Sequence, residues 1–294
     1  MSHLSEEKLL NEIGEFIPDF LTASYFESIL QKYNRDDTLK VHSVQIGPCG
    51  AAGDAFASTM YRVKIHATQR EAEKTGNFVI KMMPTLQLAR NKLGKGSFDV
   101  HEKEMEIFQN IFPKMRKILK TVSDDKNIFP KAIAVDRVRG VLMLEDLMDK
   151  HFVMADRKIG LDLDHLKLGL QKLAKFHASS MVLLEKSPEK FKGFDIGMLS
   201  RNAGAFHDFM RTNLDALTDE LSTWDGFEKY VPKLNSLKEN FFENCFRVFD
   251  NEPGQIKVLI HGDLWVNNLM FNYHKNGSLK DCIIVSSTLN NCKS

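Results

Sequence analysis

The segment Val258-Leu-Ile-His-Gly-Asp-Leu-Trp-Val-Asn-Asn-Leu-Met-Phe271 constrains the fold of this chain more than any other. An apolar run leads into His261-Gly262-Asp263, Asn268 comes later in the same loop, and a second apolar run closes the segment. The pattern predicts strand, tight loop, strand, with polar groups held at the strand ends. An Asp and an Asn spaced in this way are parts that phosphoryl transfer requires. The carboxylate accepts or orients the proton of an attacking hydroxyl, and the amide oxygen serves Mg²⁺. A buried histidine beside an aspartate cap in an ordinary turn would use the same residues, so the remainder of the chain has to decide.

With 294 residues the chain can form one large or two modest domains. Its 40 basic and 39 acidic residues nearly cancel, so no global field draws it to nucleic acid or to an anionic membrane. The four cysteines, at 49, 245, 282 and 292, form no C-x-x-C pair, which fits reduced thiols better than a disulfide framework or a zinc site. The first residues are charged and lack the apolar core of a signal peptide. No apolar run approaches the roughly 18 residues that span a bilayer. A soluble, cytoplasmic protein is expected.

Residues 4–33 carry apolar positions at helical spacing, divided by Pro18 into two short helices that brace the neighbouring domain. From Val41 the period changes to two. Val41–Ile46, Tyr61–Ile65 and Phe78–Ile80 read as strands. Between the first two lies Gly47-Pro-Cys-Gly-Ala-Ala-Gly53-Asp-Ala-Phe-Ala-Ser58, whose small residues would let backbone N–H groups approach a phosphate. A plain hairpin loop is an equal alternative. Lys81 comes directly after the third strand, where a lysine can reach α- and β-phosphate oxygens or simply face solvent. A helix from Asp99 to about Phe112 comes next, broken or kinked at Pro113 and continuing through Leu119. It offers Glu104 as a partner for Lys81, unless Glu102, Glu104 and Glu106 form a solvated face. Ile133–Val135 and Val141–Leu144 complete a five-stranded lobe, and Glu145-Asp-Leu147 leads out of it.

The clearest helix spans Leu163–Leu184, with Asp162 as its cap and Leu166, Leu170, Leu173, His177 and Ser180 on one stripe. His177 is expected as a hydrogen-bonded core residue. Two amphipathic helices come next, over 204–222 and 227–249. After the organising segment, Asn276-Gly277 marks a hairpin turn, and Cys282–Val285 pairs back as a strand. The last nine residues are polar and carry no periodicity.

Taken in order, these pieces resemble a kinase, although H-R-D, D-F-G and A-P-E are absent. The H-G-D-L-W-V-N-N loop is similar to that of choline kinases and aminoglycoside phosphotransferases. The chain more closely resembles the ecdysteroid kinase-like (CHK kinase-like) family. That resemblance is carried by Gly53-Asp-Ala-Phe-Ala-Ser58, Val79-Ile-Lys81-Met-Met-Pro84, Leu142-Met-Leu-Glu-Asp-Leu147, Gly160-Leu-Asp, Leu173-Ala-Lys-Phe-His-Ala-Ser179 and His261–Phe271. It implies an α+β, two-lobed protein-kinase-like fold with a β-rich first lobe over 40–147, preceded by a helical extension over 1–39. A helical second lobe would occupy 148–294. It also implies ATP- and Mg²⁺-dependent phosphorylation of a small-molecule hydroxyl, a steroid being one candidate acceptor. By position, Lys81 matches the phosphate-binding lysine, paired with Glu104, and Asp263 the catalytic aspartate. Asn268 matches the metal ligand, Gly53 and Ser58 the phosphate loop, and the backbone around Glu145–Leu147 the hinge that holds adenine.

One departure matters. In the family this last strand leads into Asp-Phe-Gln, whose Asp is a second metal ligand, whereas here Val285 leads into Ser286-Ser287-Thr288. The expectation is a shortened form with an incomplete second lobe and impaired catalysis. Its apolar surface around Leu166–Phe176 and Phe241–Phe249 would be left for a partner or for self-association. A non-catalytic nucleotide- or ligand-binding remnant with a regulatory role is the alternative.

Overall fold

A computed structural model describes residues 17–49, 59–82, 100–194, 201, 204–249, 254–285 and 292–293. Helix α1 (Ala23–Asn34) begins five residues after Pro18, and Thr22 caps it by accepting the Tyr25 amide. The helix expected before Pro18 lies outside the described residues. The first lobe is a five-stranded antiparallel sheet of β1 (Lys40–Pro48), β2 (Thr59–Gln69), β3 (Ala72–Met82), β4 (Ala132–Asp136) and β5 (Val141–Glu145). Their spatial order is β1-β2-β3-β5-β4. The alternation of β2 decides which face is which. Tyr61, Val63 and Ile65 are buried, and together with Ile80, Val141 and Met143 they pack under Phe26 and Leu30 of α1. Strands β2 and β3 run much further than the apolar run predicts. They meet in a two-residue turn at Arg70 and Glu71, both at positive φ, in a conformation that ordinarily selects Asn or Gly.

The helix after the sheet's third strand is a single run with a fault in it. It consists of α2 (Val100–Glu106), a π-turn over Ile107–Ile111 and α3 (Phe112–Thr121). Pro113 has no amide to donate, and its ring crowds the carbonyl four residues back. The chain answers by widening the preceding turn, with the Phe112 amide reaching back to the Ile107 carbonyl. Pro113 therefore displaces the helix without ending it.

The second lobe is built on α4 (Leu163–Lys186), α5 (Gly204–Leu221) and α6 (Val231–Phe249). Its β-elements are β6 (Val153–Met154), β7 (Val258–Leu259), β8 (Leu269–Tyr273) and β9 (Leu279–Ile284), and the β8–β9 hairpin turns at Gly277 with φ +82°. Asp162 caps α4 through the Asp164 and His165 amides, as its sequence predicts. The buried stripe of α4 differs from the predicted one. Gly169, Lys172, Phe176, Ser179, Ser180 and Leu183 face the core, while Leu166 and Leu170 are about half exposed. Lys172 explains the misreading, because this buried cation binds Asp281 Oδ1 and the Asn127 carbonyl, each at 2.8 Å. His177 is also corrected: its Nε2 is buried and has no hydrogen-bond partner among the described residues. In the polar tail, Cys292–Lys293 forms β10 and pairs with β7.

A single apolar core joins the two lobes. It runs from the π-turn and α3 through Ile128 and Phe129 to Phe176, Leu259, Phe271 and Cys282. Phe129 is its centre: it stacks on Phe112 at 3.7 Å and meets Phe176 edge-on at 5.1 Å. The neighbouring Ile128 carbonyl accepts the Ile284 amide. Truncating Phe129 to Ala should remove both ring contacts and leave a cavity, lowering stability by about 3–5 kcal/mol. Urea denaturation of the variant against the parent measures this, and a loss below about 1 kcal/mol would contradict the packing described.

Candidate active site

The third strand and the helix after it bring Lys81 and Glu104 together on the inner face of the sheet, and the organising loop brings Asn268 to Asp263. Lys81 and Glu104 are both almost fully buried, with Lys81 Nζ 2.6 Å from Glu104 Oε1. Burying two charges is tolerable only when they meet at this range, since a lone buried charge would be strongly penalised. The sequence favours Glu104 over Glu102 and Glu106 as the partner of Lys81, and the geometry separates them. Glu102 and Glu106 lie one turn apart and share Arg137 on the outside, each at 2.5 Å, while Glu104 faces inward.

The organising loop folds tightly. Gly262 sits at φ +80°, a conformation that favours glycine, and so allows a sharp turn between the buried His261 and Asp263. Asn268 ends a short 3₁₀ turn (Val266–Asn268). Its Nδ2 donates to the Asp263 carbonyl at 2.6 Å and to Asp263 Oδ2 at 3.0 Å. The two expected side chains thus converge, and the amide orientation turns the Asn268 Oδ1 oxygen away from Asp263. Among the described residues, no cluster of three or more His, Cys, Asp or Glu is placed to hold a metal ion. Mg²⁺ does not need one: it is commonly held by one or two protein oxygens together with substrate phosphates. Asn268 fits that donor type.

His261 lies between the two halves and was not predicted as a site residue. It is buried and its Nδ1 accepts the Asp263 amide at 3.3 Å. Burial pushes its pKa down to about 4; the Val285 backbone and the Asp263 carboxylate oppose this, and the Lys81 ammonium adds to it. The imidazole therefore responds to Lys81 from the sheet and to Asp263 from the loop. The sequence signal was the histidine of the H-G-D triplet itself.

The hinge is a fastened corner. Glu145 accepts the Lys131 amide on one oxygen and pairs with Lys150 on the other, so its side chain is structural. The Glu145 and Asp146 amides are bonded to the Lys131 and Asn77 carbonyls. The next amide, that of Leu147, has no acceptor among the described residues. The Leu147 side chain is buried against Phe152 and Ile283. Gly53 and Ser58 of the glycine segment lie outside the described residues.

The profile of the ecdysteroid kinase-like family matches residues 52–294. The chain belongs to the ecdysteroid kinase-like family. This member has no match among the curated proteins compared. A choline kinase from Streptococcus pneumoniae aligns over 91% of this chain and 71% of its own length, at 13% identity and a TM-score of 0.34, too low to add to the family assignment. The paired lysine and glutamate, the aspartate and the asparagine of this ecdysteroid kinase-like chain all fall inside the matched region.

A histidine held below its ordinary pKa links stability to pH with a definite sign. The unfolded chain binds a proton at His261 near pH 6.5, whereas the folded chain resists it down to about 4. The stabilisation is therefore complete above 6.5 and is lost as pH falls towards 4, by up to about 3 kcal/mol. Replacing His261 with Gln should flatten this window. Urea denaturation from about pH 7.5 to 4.5 on both proteins should show their stability difference shrinking as pH falls, and a constant difference would contradict the buried neutral imidazole.

Proposed function

We propose that this chain binds ATP with Mg²⁺ in the cleft between its lobes and transfers the terminal phosphoryl group to a hydroxyl of a small molecule. The reading is carried by the buried Lys81–Glu104 pair, whose ammonium stands on the sheet face turned to the second lobe, together with the Asp263–Asn268 pair of the loop. Family membership supports a kinase-like phosphotransferase of small molecules. A steroid is one acceptor compatible with the family description.

Lys81 would hold phosphate oxygens, with Glu104 fixing its ammonium so that little reorganisation accompanies binding. Asp263 would accept the proton of the incoming hydroxyl, its carboxylate oriented by the Asn268 amide. Asn268 Oδ1 would hold the cation, which when bound supplies neutralisation of phosphate charge. The Leu147 amide would donate to the base of the nucleotide. Among the described residues the cysteines at 49, 245 and 282 form no disulfide, which suits a reducing cytoplasm.

Beyond β9 the sequence runs through Val285 into Ser286, and this favours a second reading alongside the first: a chain that binds nucleotide but turns it over slowly. A serine hydroxyl is a weak, neutral ligand for a hard cation. We expect Mg²⁺-dependent ATP turnover in the parent, a fall of about a thousandfold in Asp263→Asn, equal to about 4 kcal/mol of lost transition-state stabilisation, and a gain in Ser286→Asp. Release of ADP measured by a coupled assay, with several hydroxylated acceptors including sterols, decides the matter. ATP binding without turnover in any variant would leave only the binding role, and no binding at all would overturn both.

A further inference from the structure

Arg62 stands on the sheet face that carries Lys81. The register of β2 and β3 pairs Met60 with Lys81 and Arg62 with Val79, and β5 continues these rows with Leu142 and Leu144. Directly opposed residues of an antiparallel pair share a face. Val79, Leu142 and Leu144 belong to the core between the lobes, whereas Tyr61, Val63 and Ile80 belong to the core under α1. Arg62 therefore points to the second-lobe side, in the row next to Lys81.

The hinge then fixes its direction. Arg62 Nε donates to Asp146 Oδ2 at 2.6 Å, and Nη2 lies 2.9 Å from Met148 Sδ. Asp146 is only 4% exposed on its side chain, and its other oxygen accepts the Met148 amide at 3.0 Å. Arg62 itself keeps 39% of its side chain exposed. A buried carboxylate thus orients a guanidinium that remains open. Between its two anchors lies Leu147, whose amide is unengaged among the described residues and whose side chain joins Ile283, Met270 and Val285 on the second-lobe side.

We propose that Arg62 is a nucleobase-binding residue, its planar guanidinium stacking on a purine whose edge meets the Leu147 amide, with Asp146 as the residue that positions it. The proposal rests on the reading that a nucleotide binds in this cleft. Guanidinium groups are weakly hydrated and stack flat on aromatic faces, whereas a lysine ammonium of equal charge is a strongly hydrated point charge with no plane to stack.

Calorimetric titration of the full chain with Mg·ATP and, separately, with Mg·tripolyphosphate tests this, using the parent, Arg62→Ala and Arg62→Lys. Stacking predicts that both variants lose about tenfold in ATP affinity while tripolyphosphate affinity stays within about twofold of the parent. Circular dichroism melts confirm folding, and Arg62→Lys serves if Arg62→Ala fails to fold. Unchanged ATP affinity, full rescue by lysine, or an equal loss for tripolyphosphate would each overturn the assignment, the last by showing a phosphate contact. A parent that binds tripolyphosphate but not ATP would overturn it too. A parent that binds neither ligand would instead overturn the nucleotide reading beneath it.

Discussion

The Lys81–Glu104 pair is the contact on which the arrangement of the first lobe depends. Neither charge could be buried without the other, and each arrives from a different element, the end of β3 and the single inward-facing acidic position of α2. Their meeting fixes the height and rotation of α2 against the sheet. Arg137 secures the same helix from outside through Glu102 and Glu106, and His101 Nε2 lies 2.9 Å from the Gly140 carbonyl. The helix is therefore held on two sides, with only one carboxylate directed into the cleft.

A second constraint lies behind the cleft. Phe112, Phe129 and Phe176 come from three separate stretches of chain and pack as one aromatic group in the core shared by both lobes. The Lys172–Asp281 pair and the Ile284–Ile128 hydrogen bond reinforce the same region. Close-packed interiors of this kind resist deformation. The rear wall is accordingly stiffer than the front, where the hinge is held mainly by side-chain polar contacts such as Arg62–Asp146 and Asn77–Asp149.

Much of this was legible in the sequence because period and order were both strong. The five strands, the capped helix α4, the Asn-Gly hairpin and the Asp263–Asn268 pair all derive from apolar alternation and turn chemistry. The features that escaped were governed by partners distant in the chain. Lys172 looks like a surface residue until Asp281 meets it, and that hid the true inner stripe of α4. Arg70 and Glu71 carry no turn signal, so the length of β2 and β3 could not be read. Glu104 could be favoured over Glu102 and Glu106 but not separated from them, because spacing alone does not reveal a π-turn downstream.

That π-turn sets the phase of the helix. Widening one turn takes up about one extra residue, and one residue of an α-helix is about 100° of rotation. Were Ile107–Ile111 to relax into regular α-helix while α3 stayed seated in the shared core, α2 would swing by roughly that angle. Glu104 would leave Lys81, and the two charges would be stranded. A proline at 113, itself exposed beside the buried Phe112, therefore acts as the phase-setting element for a carboxylate nine residues upstream.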